Sequence, residues 1–290
     1  MSKVAIVTDS TAYLPENLVS EFNITVLPLV VIWGEETLRD NIDITPEQFY
    51  ERLQKEEAMP TTSQATIQSF TDAFQELHGK GYDIFAVTIS SGLSGTMDSA
   101  IQAKNMVPDA NIELFDSQTS SLPMAFIALS AARAARRGAS LEEVKQVAEA
   151  VREHNQVYFA VETLEFLHRG GRIGGASRFL GTALGLKPIL YLNDGKVEAL
   201  EKVRTSKKAH ARLISILEEQ LEGKSPVNMI GVVKAAADEA ADKLMAQIKD
   251  RFTPDELMVA DLSPVIGTHI GPGATGVAYV AGVDPDLLKG

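Results

Sequence analysis

The first half of the chain alternates short apolar runs with helix-like segments, and this alternation restricts its fold more than any other feature. The strand-like runs are 3–10, 24–33, 83–89 and 111–117, and the helix-like segments are 45–54, 66–79, 96–107, 121–137 and 140–154. Strands that alternate with helices form parallel sheets whose two faces the helices cover. We therefore predict an α/β domain with a parallel sheet over residues 1–154.

The pattern changes after residue 154. A strand-like run at 156–162 is followed by a glycine-rich segment, 163–185, with short helical pieces. The segment 186–204 fits two strands joined at Asn193-Asp194-Gly195, because Asp-Gly supplies the positive φ that a tight hairpin turn needs. A hairpin pairs its strands antiparallel, so the second half is predicted to form a mixed sheet. We place the boundary near 154–156 and predict a second α/β domain over residues 155–290.

Polar clusters stand at the ends of three predicted strands: Thr8-Asp9-Ser10, Ser90-Ser91 and Asp116-Ser117. Ligands of open α/β sheets bind outside the carboxyl ends of the strands, so these clusters are candidates for a site. Ser, Thr and Asp also cap helices and form turns, which is the structural alternative. The loop 90–96 (SSGLSGT) has two glycines and four hydroxyl side chains, and it fits a serine nucleophile, a phosphate cradle or a seat for a carboxylate.

Several motifs that would define an enzyme or a cofactor site are incomplete. A nucleophile elbow needs Gly-x-Ser-x-Gly, but Thr96 stands where the second glycine should be. The Gly-x-Gly-x-x-Gly match at 271–276 leaves too little chain for a dinucleotide-binding unit, and Lys224 lacks the upstream glycine of a P-loop. The five histidines have no metal-ligand spacing, and the chain has no cysteine. We therefore predict neither a metal site nor a cofactor.

The charge balance and the N-terminal sequence limit partners and location. Lys and Arg total 27 against 39 Asp and Glu, a net charge of −12, which argues against a general nucleic-acid-binding surface. The first residues lack the apolar core of a signal peptide, and no apolar stretch is long enough to span a membrane. From these features we expect a soluble, cytoplasmic protein.

After these exclusions, the candidate binding groups are four side chains in predicted loops: Thr62, Ser94, Arg172 and His269. Hydroxyl groups and backbone N–H groups near helix starts favour an anion. The set lacks the lysine or metal ligands that phosphoryl transfer requires. A ligand with one negative charge, such as a carboxylate, fits this set better than a phosphate does.

Six segments, in their order and spacing, resemble the DegV family of bacterial fatty-acid-binding proteins. They are TDSTAYLP near the N-terminus, PTTSQ, SSGLSGT, FLHRGGRIGG, LKPIL followed by DGKVEALEKVRTSKKA, and SPVIGTHIGPGA. The resemblance covers nearly the whole chain. It implies an α/β/α three-layer domain with a parallel sheet and a two-layer α/β domain with a mixed sheet.

The resemblance also implies a lipid-binding function without catalysis. A long-chain fatty acid would be held with its chain in a buried tunnel and its carboxylate at the domain interface. Thr62 and Ser94 would hydrogen-bond the carboxylate, and Arg172 and His269 would lie near it. The protein would present the acid to a separate fatty acid kinase, which makes acyl phosphate with ATP. Transient contact with a membrane is compatible with this role. The small side chains of 120–135 could leave room for the tunnel, although alanine also simply favours helix.

Two other classes of function stay open at this stage. One is an enzyme, either a stand-alone α/β hydrolase or a phosphotransferase that uses the Ser94 loop. Asp9 and Asp116 end strands at the same expected edge of the sheet, so they are the carboxylates that could serve such an enzyme. The other class is a regulatory module that binds another small carboxylate.

Overall fold

The computed structural model describes residues 3–181 and 185–289. Its strands are β1 (Lys3–Asp9), β2 (Thr25–Leu27), β3 (Val30–Trp33), β4 (Glu36–Arg39), β5 (Thr61–Ser63), β6 (Tyr82–Thr88), β7 (Ile112–Asp116), β8 (Asn155–Ala160), β9 (Lys187–Asn193), β10 (Lys196–Val203), β11 (Val227–Lys234), β12 (Glu256–Asp261) and β13 (Thr275–Ala281). Its helices are α1 (Glu16–Phe22), α2 (Pro46–Lys55), α3 (Ile67–Gly79), α4 (Thr96–Met106), α5 (Ser121–Arg136), α6 (Leu141–Glu153), α7 (Glu165–Arg169), α8 (Ser206–Leu221), α9 (Asp238–Arg251), α10 (Pro264–Ile270) and α11 (Pro285–Leu288), with short 3-10 turns at Ser10–Ala12 and Gly174–Phe179.

The first half contains the predicted parallel sheet, with its strands in the order β2-β1-β6-β7. The interiors of β1 and β6 are almost continuously buried, as expected when both faces of a sheet are covered. Helices α3 and α4 pack together over one face, and α5 and α6 pack together over the other.

The second half forms one mixed sheet in the order β10-β9-β8-β13-β11-β12. Strands β11 and β12 pair in parallel, and the other neighbours pair antiparallel. The hairpin between β9 and β10 turns at Asp194 and Gly195, and both have the positive φ that the turn requires. Helices α8 and α9 cover the outer face. The predicted fold class, α/β with a parallel sheet and a second, mixed sheet, is confirmed.

Helix α5 lies between the two sheets at the centre of the core. It packs against β1 and β6 on one side and against β8, β11 and β13 on the other, so most of its side chains are buried. A Cβ on Gly231 of β11 would lie 2.4 Å from Cδ1 of Leu122 and 3.1 Å from Cζ of Phe126, so glycine is needed for this close approach. The core around α5 draws residues from both halves. The division into 1–154 and 155–290 therefore stays a prediction about folding units.

The structure corrects the sequence prediction around residues 24–33 and 60–64. Pro28, which has no N–H for a sheet, separates β2 from β3, so the apolar run is two strands rather than one. Strand β3 leaves the parallel sheet and forms a small antiparallel sheet in the order β4-β3-β5. Thr62, predicted to lie in a loop, is in the edge strand β5 and pairs with Val31.

The glycine-rich segment predicted at 163–185 contains α7 and the 3-10 turn Gly174–Phe179, and its residues 182–184 lie outside the described residues. Among the described helices, none is both long enough and apolar enough to cross a membrane.

Candidate functional site

An apolar pocket lies between the two sheets, at the carboxyl end of the parallel sheet. The space free of protein atoms there, including the solvent at its mouth, is about 990 Å³. The inner face of the mixed sheet contributes Val157, Phe159, Leu192, Val197 and Val233. Other apolar side chains come from loops and from the region of α7 and α10: Leu29, Ile89, Leu93, Leu167, Leu262, Val265, Ile266 and Ile270. All four predicted site residues also line this pocket.

Thr62 and His269 are in direct contact, although 207 positions separate them in the sequence. Thr62 Oγ1 lies 2.8 Å from His269 Nε2. The pairing of β5 with β3 fixes Thr62, and the last turn of α10 carries His269. Helix α10 begins at Ser263, whose hydroxyl accepts from the N–H of Ile266, and Pro264 occupies its first position. This contact joins the first half of the chain to the second at the pocket.

His269 is neutral at pH 7. Burial lowers the pKa of its imidazole to about 4, and the neighbouring positive charge of Arg172 adds to this effect. Its Nδ1 is buried and has no hydrogen-bond partner among the described residues. The imidazole can therefore act as a neutral donor or acceptor in the pocket, but it supplies no positive charge.

Arg172 links the loop after β6 to the glycine-rich segment. Its Nε donates to the carbonyl oxygen of Leu93 at 3.0 Å, and its Nη1 donates to the carbonyl oxygen of Gly170 at 2.7 Å. Within the described lining of the pocket, Arg172 is the one permanently charged side chain. An anion in the pocket would therefore find a single full counter-charge.

Asp9 and Asp116 hold the backbone around the loop 90–96. Asp9 accepts from the N–H of Ile89 at 2.7 Å, and from the N–H and hydroxyl of Thr11 at 3.0 and 2.5 Å. Asp116 accepts from the hydroxyl of Ser91 at 2.5 Å. Both carboxylates therefore make the kind of capping and turn bonds that were the alternative to a role in a ligand site. Neither carboxylate hydrogen-bonds to Ser94.

Ser94 lies in the wall of the pocket with its hydroxyl against Thr96. Its Oγ is 2.9 Å from Thr96 Oγ1 and accepts from the N–H of Thr96 at 3.3 Å. Ser90 Oγ donates to the carbonyl oxygen of Gly195 at 2.8 Å, so the loop also rests on the turn between β9 and β10. In the part of the chain that the structure describes, no His, Asp or Glu hydrogen-bonds to Ser94, so it has no adjacent general base there.

Gly170 sets the position of the His269 ring, because a Cβ on this glycine would lie 2.2 Å from His269 Nδ1. Gly170→Ala should therefore push the imidazole towards solvent and raise its pKa from about 4 towards its ordinary value of 6.5. The imidazole NMR signals, followed against pH, measure this. Gly79→Ala is the control, since a Cβ there meets nothing within 4 Å. An unchanged pKa in the Gly170 variant would show that the ring position does not depend on this glycine.

Sequence reasoning missed most of the pocket wall. In β8, Val157 and Phe159 face the pocket side and Tyr158 and Ala160 face α8. Because all four residues are apolar, the sequence does not show which of them face the pocket. Of the small residues of 120–135, Ser120 and Ser121 line the pocket, and a tunnel along the rest of the segment stays a prediction. Across residues 3–181 and 185–289, no three His, Cys, Asp or Glu side chains gather in a way that could hold a metal ion.

The fold and the site together define an α/β protein with an apolar, singly charged pocket between its two main sheets. The chain belongs to the DegV family, whose model, described as "Uncharacterised protein, DegV family", matches residues 3–282. It is 37% identical to Protein DegV of Bacillus subtilis over 95% of this chain and 98% of that protein. It is also 37% identical to a DegV domain-containing protein of Halalkalibacterium halodurans, over 96% of this chain and 99% of the relative.

Solved structures of similar chains share this fold. A DegV family protein from Thermus thermophilus, described by its fatty acid binding, has a TM-score of 0.91 at 34% identity, covering 96% of this chain and 99% of its own. The fatty acid binding protein DegV from Bacillus subtilis has a TM-score of 0.88 at 36% identity, with 97% and 100% covered. A stearic acid-binding protein from Eubacterium ventriosum has a TM-score of 0.89 at 27% identity, with 97% and 99% covered.

Proposed function

We propose that this protein binds one long-chain fatty acid, with the acyl chain in the apolar pocket and the carboxylate beside Arg172. The observation that carries the proposal is a pocket whose described lining is largely apolar and has one permanent positive charge. One apolar chain and one negative charge are the complement of that lining. The three solved relatives, described as fatty-acid-binding proteins, support the proposal.

Burial of the acyl chain would supply most of the binding free energy. A saturated 16-carbon acid has about 14 methylene groups, and at about 0.8 kcal/mol each their burial is worth roughly 11 kcal/mol. Association and ordering oppose this by several kcal/mol. The head group then has only to be neutralised and hydrogen-bonded, because a buried carboxylate without partners is very unfavourable.

The contact between His269 and Thr62 suits a carboxylate ligand. A buried N–H without a partner is rarer in proteins than a buried acceptor without one, and Nδ1 of His269 has no partner among the described residues. The proton of the neutral ring therefore belongs on Nε2, which donates to Thr62 Oγ1. The hydroxyl hydrogen of Thr62 is then free to donate to the carboxylate, and Ser94 offers a second hydroxyl in the same wall.

Thr62→Ala and Ser94→Ala should each weaken fatty acid binding, because each removes a hydrogen bond to a charged group, worth about 1.5–3 kcal/mol. Both donors serve one carboxylate, so the two losses need not add in the double variant. Titration with a fluorescent fatty acid measures the affinities. Thr61→Ala is the matched control, since Thr61 is exposed, is also in β5 and does not line the pocket. Wild-type affinity in both single variants would remove these residues from the site.

The proposed function is tested directly by native mass spectrometry of protein purified without detergent or delipidation. We expect a mass increment that matches a fatty acid, and extraction of the same sample should release that acid. A protein that arrives empty and takes up no long-chain fatty acid when it is offered would contradict the proposal.

We further propose that the protein does not transform the acid itself but presents it to a separate fatty acid kinase. The first part of this proposal is supported by Ser94, which hydrogen-bonds to no adjacent base, and by the lack of a metal cluster among the described residues. Acyl phosphate should form from ATP, magnesium and the loaded protein only when the kinase is present. Ester or ATP hydrolysis by the purified protein alone, lost in Ser94→Ala, would favour the enzyme instead.

A further inference from the structure

The N-terminus of helix α5 opens onto the pocket without a side-chain cap. Its N-cap residue, Ser120, makes no capping hydrogen bond, and the first turn contains no acidic residue. Ser120 and Ser121 both line the pocket. The first N–H groups of a helix have no partner inside the helix and carry its partial positive charge. A polar spot that attracts electron-rich oxygen therefore lies in an otherwise apolar part of the wall.

Ser121 gives a second, independent sign of a ligand group at this spot. The residue is 5% exposed, yet its hydroxyl has no hydrogen-bond partner among the described residues. Its φ is +56°, in the left-handed region that disfavours residues other than glycine. A buried hydroxyl without a partner is destabilising, so this hydroxyl favours a group in the pocket that hydrogen-bonds to it.

We propose that Ser121 and the first turn of α5 form a second polar subsite, which binds an oxygen substituent on the acyl chain. This inference rests on the proposed function, because it needs the chain in the pocket. The substituent must be neutral, since Arg172 is the one permanent cation in the described lining and serves the carboxylate. A hydroxyl or oxo group can accept from the Ser121 hydroxyl, and the partial positive charge of the helix N-terminus attracts its oxygen. The ligand class then includes long-chain hydroxy and oxo fatty acids.

The test compares stearic acid with its monohydroxy isomers, with the hydroxyl at successive positions along the chain. Dissociation constants are measured by displacement of a fluorescent fatty acid from the wild-type protein and from Ser121→Ala. We expect one or two neighbouring isomers to bind at least as tightly as stearic acid. In Ser121→Ala, the preference for those isomers over stearic acid should fall by a factor of about 3–10. Stearic acid itself should bind the variant no more weakly than the wild type.

Ser130→Ala is the matched control. Ser130 is also in α5, is fully buried and has a hydroxyl without a partner among the described residues, but it does not line the pocket. Removal of the Ser130 hydroxyl should leave the preference for each hydroxy isomer over stearic acid unchanged. If stearic acid binds but no isomer depends on Ser121, the hydroxyl faces only water and the subsite is overturned while the proposed function stands. If Ser121→Ala weakens stearic acid as Thr62→Ala does, the carboxylate lies at α5 and the subsite is again overturned. If the wild type binds no fatty acid, both proposals fail.

Discussion

Arg172→Gln should weaken the binding of a long-chain fatty acid by about 2–5 kcal/mol, which is roughly thirtyfold or more in Kd. The reason is charge: no other described residue of the pocket lining is permanently charged, and His269 is neutral because its pKa is lowered to about 4. Without Arg172, the carboxylate would be buried with no cation beside it. The measurement is the Kd of the acid and of its uncharged methyl ester, in the variant and in the wild type.

The methyl ester separates the charge of Arg172 from its structural bonds. Arg172 also donates to the carbonyl oxygens of Leu93 and Gly170, so its loss could loosen the pocket. A loosened pocket would weaken the acid and the ester alike, whereas loss of the charge weakens the acid alone. Arg169→Gln is the control, because Arg169 pairs with Glu165 at the surface and does not line the pocket. Equal losses for the acid and the ester would contradict the proposed position of the carboxylate.

The main sheets could be predicted from the sequence because their strands have recognisable patterns. Strand β1 is an apolar run that fits a strand covered on both faces, and the Asp194-Gly195 pair marks the hairpin of the mixed sheet. The small sheet could not be predicted in this way. Strand β5, Thr61–Ser63, has no apolar residue and no period, and it is a strand only because it pairs with β3. The pairing of β5 with β3 depends on tertiary structure, so a local sequence pattern cannot predict it.

The candidate residues were found through a family resemblance, but their arrangement was not. Nothing in the sequence places Thr62 against His269, because segments so distant in the chain meet only through the packing of the sheets and α10. The lowered pKa of His269 depends on burial, which is also a property of the folded chain. The lack of a partner for the Ser121 hydroxyl could not be predicted either, because in the sequence Ser121 is part of an ordinary helix start.

Asp40, a buried carboxylic acid outside the pocket, should govern part of the pH dependence of stability. It is 1% exposed, and its Oδ2 accepts from the Ser10 hydroxyl at 2.7 Å, while Oδ1 has no hydrogen-bond partner among the described residues. Burial raises its pKa from 3.8 to about 7, the charge of Asp9 adds to the rise, and the hydroxyls of Ser10 and Ser263 oppose it. The stability that this group contributes is therefore fully present below pH 3.8 and is lost as the pH rises through 7.

Asp40→Asn should remove this dependence, because the amide oxygen can keep the bond from Ser10 and the side chain has no charge to bury. Relative to the wild type, the free energy of unfolding of the variant should rise by about 2–3 kcal/mol between pH 5 and pH 8. Urea unfolding at several pH values measures it. Asp43→Asn is the control: hydrogen bonds from Arg39 lower the pKa of Asp43 to about 2, so its charge, and the difference from wild type, stay constant over this range. If the free energy of unfolding changes with pH in the same way for the Asp40 variant and the wild type between pH 5 and pH 8, the Asp40 carboxyl titrates as an exposed one does. Its burial then carries no electrostatic cost.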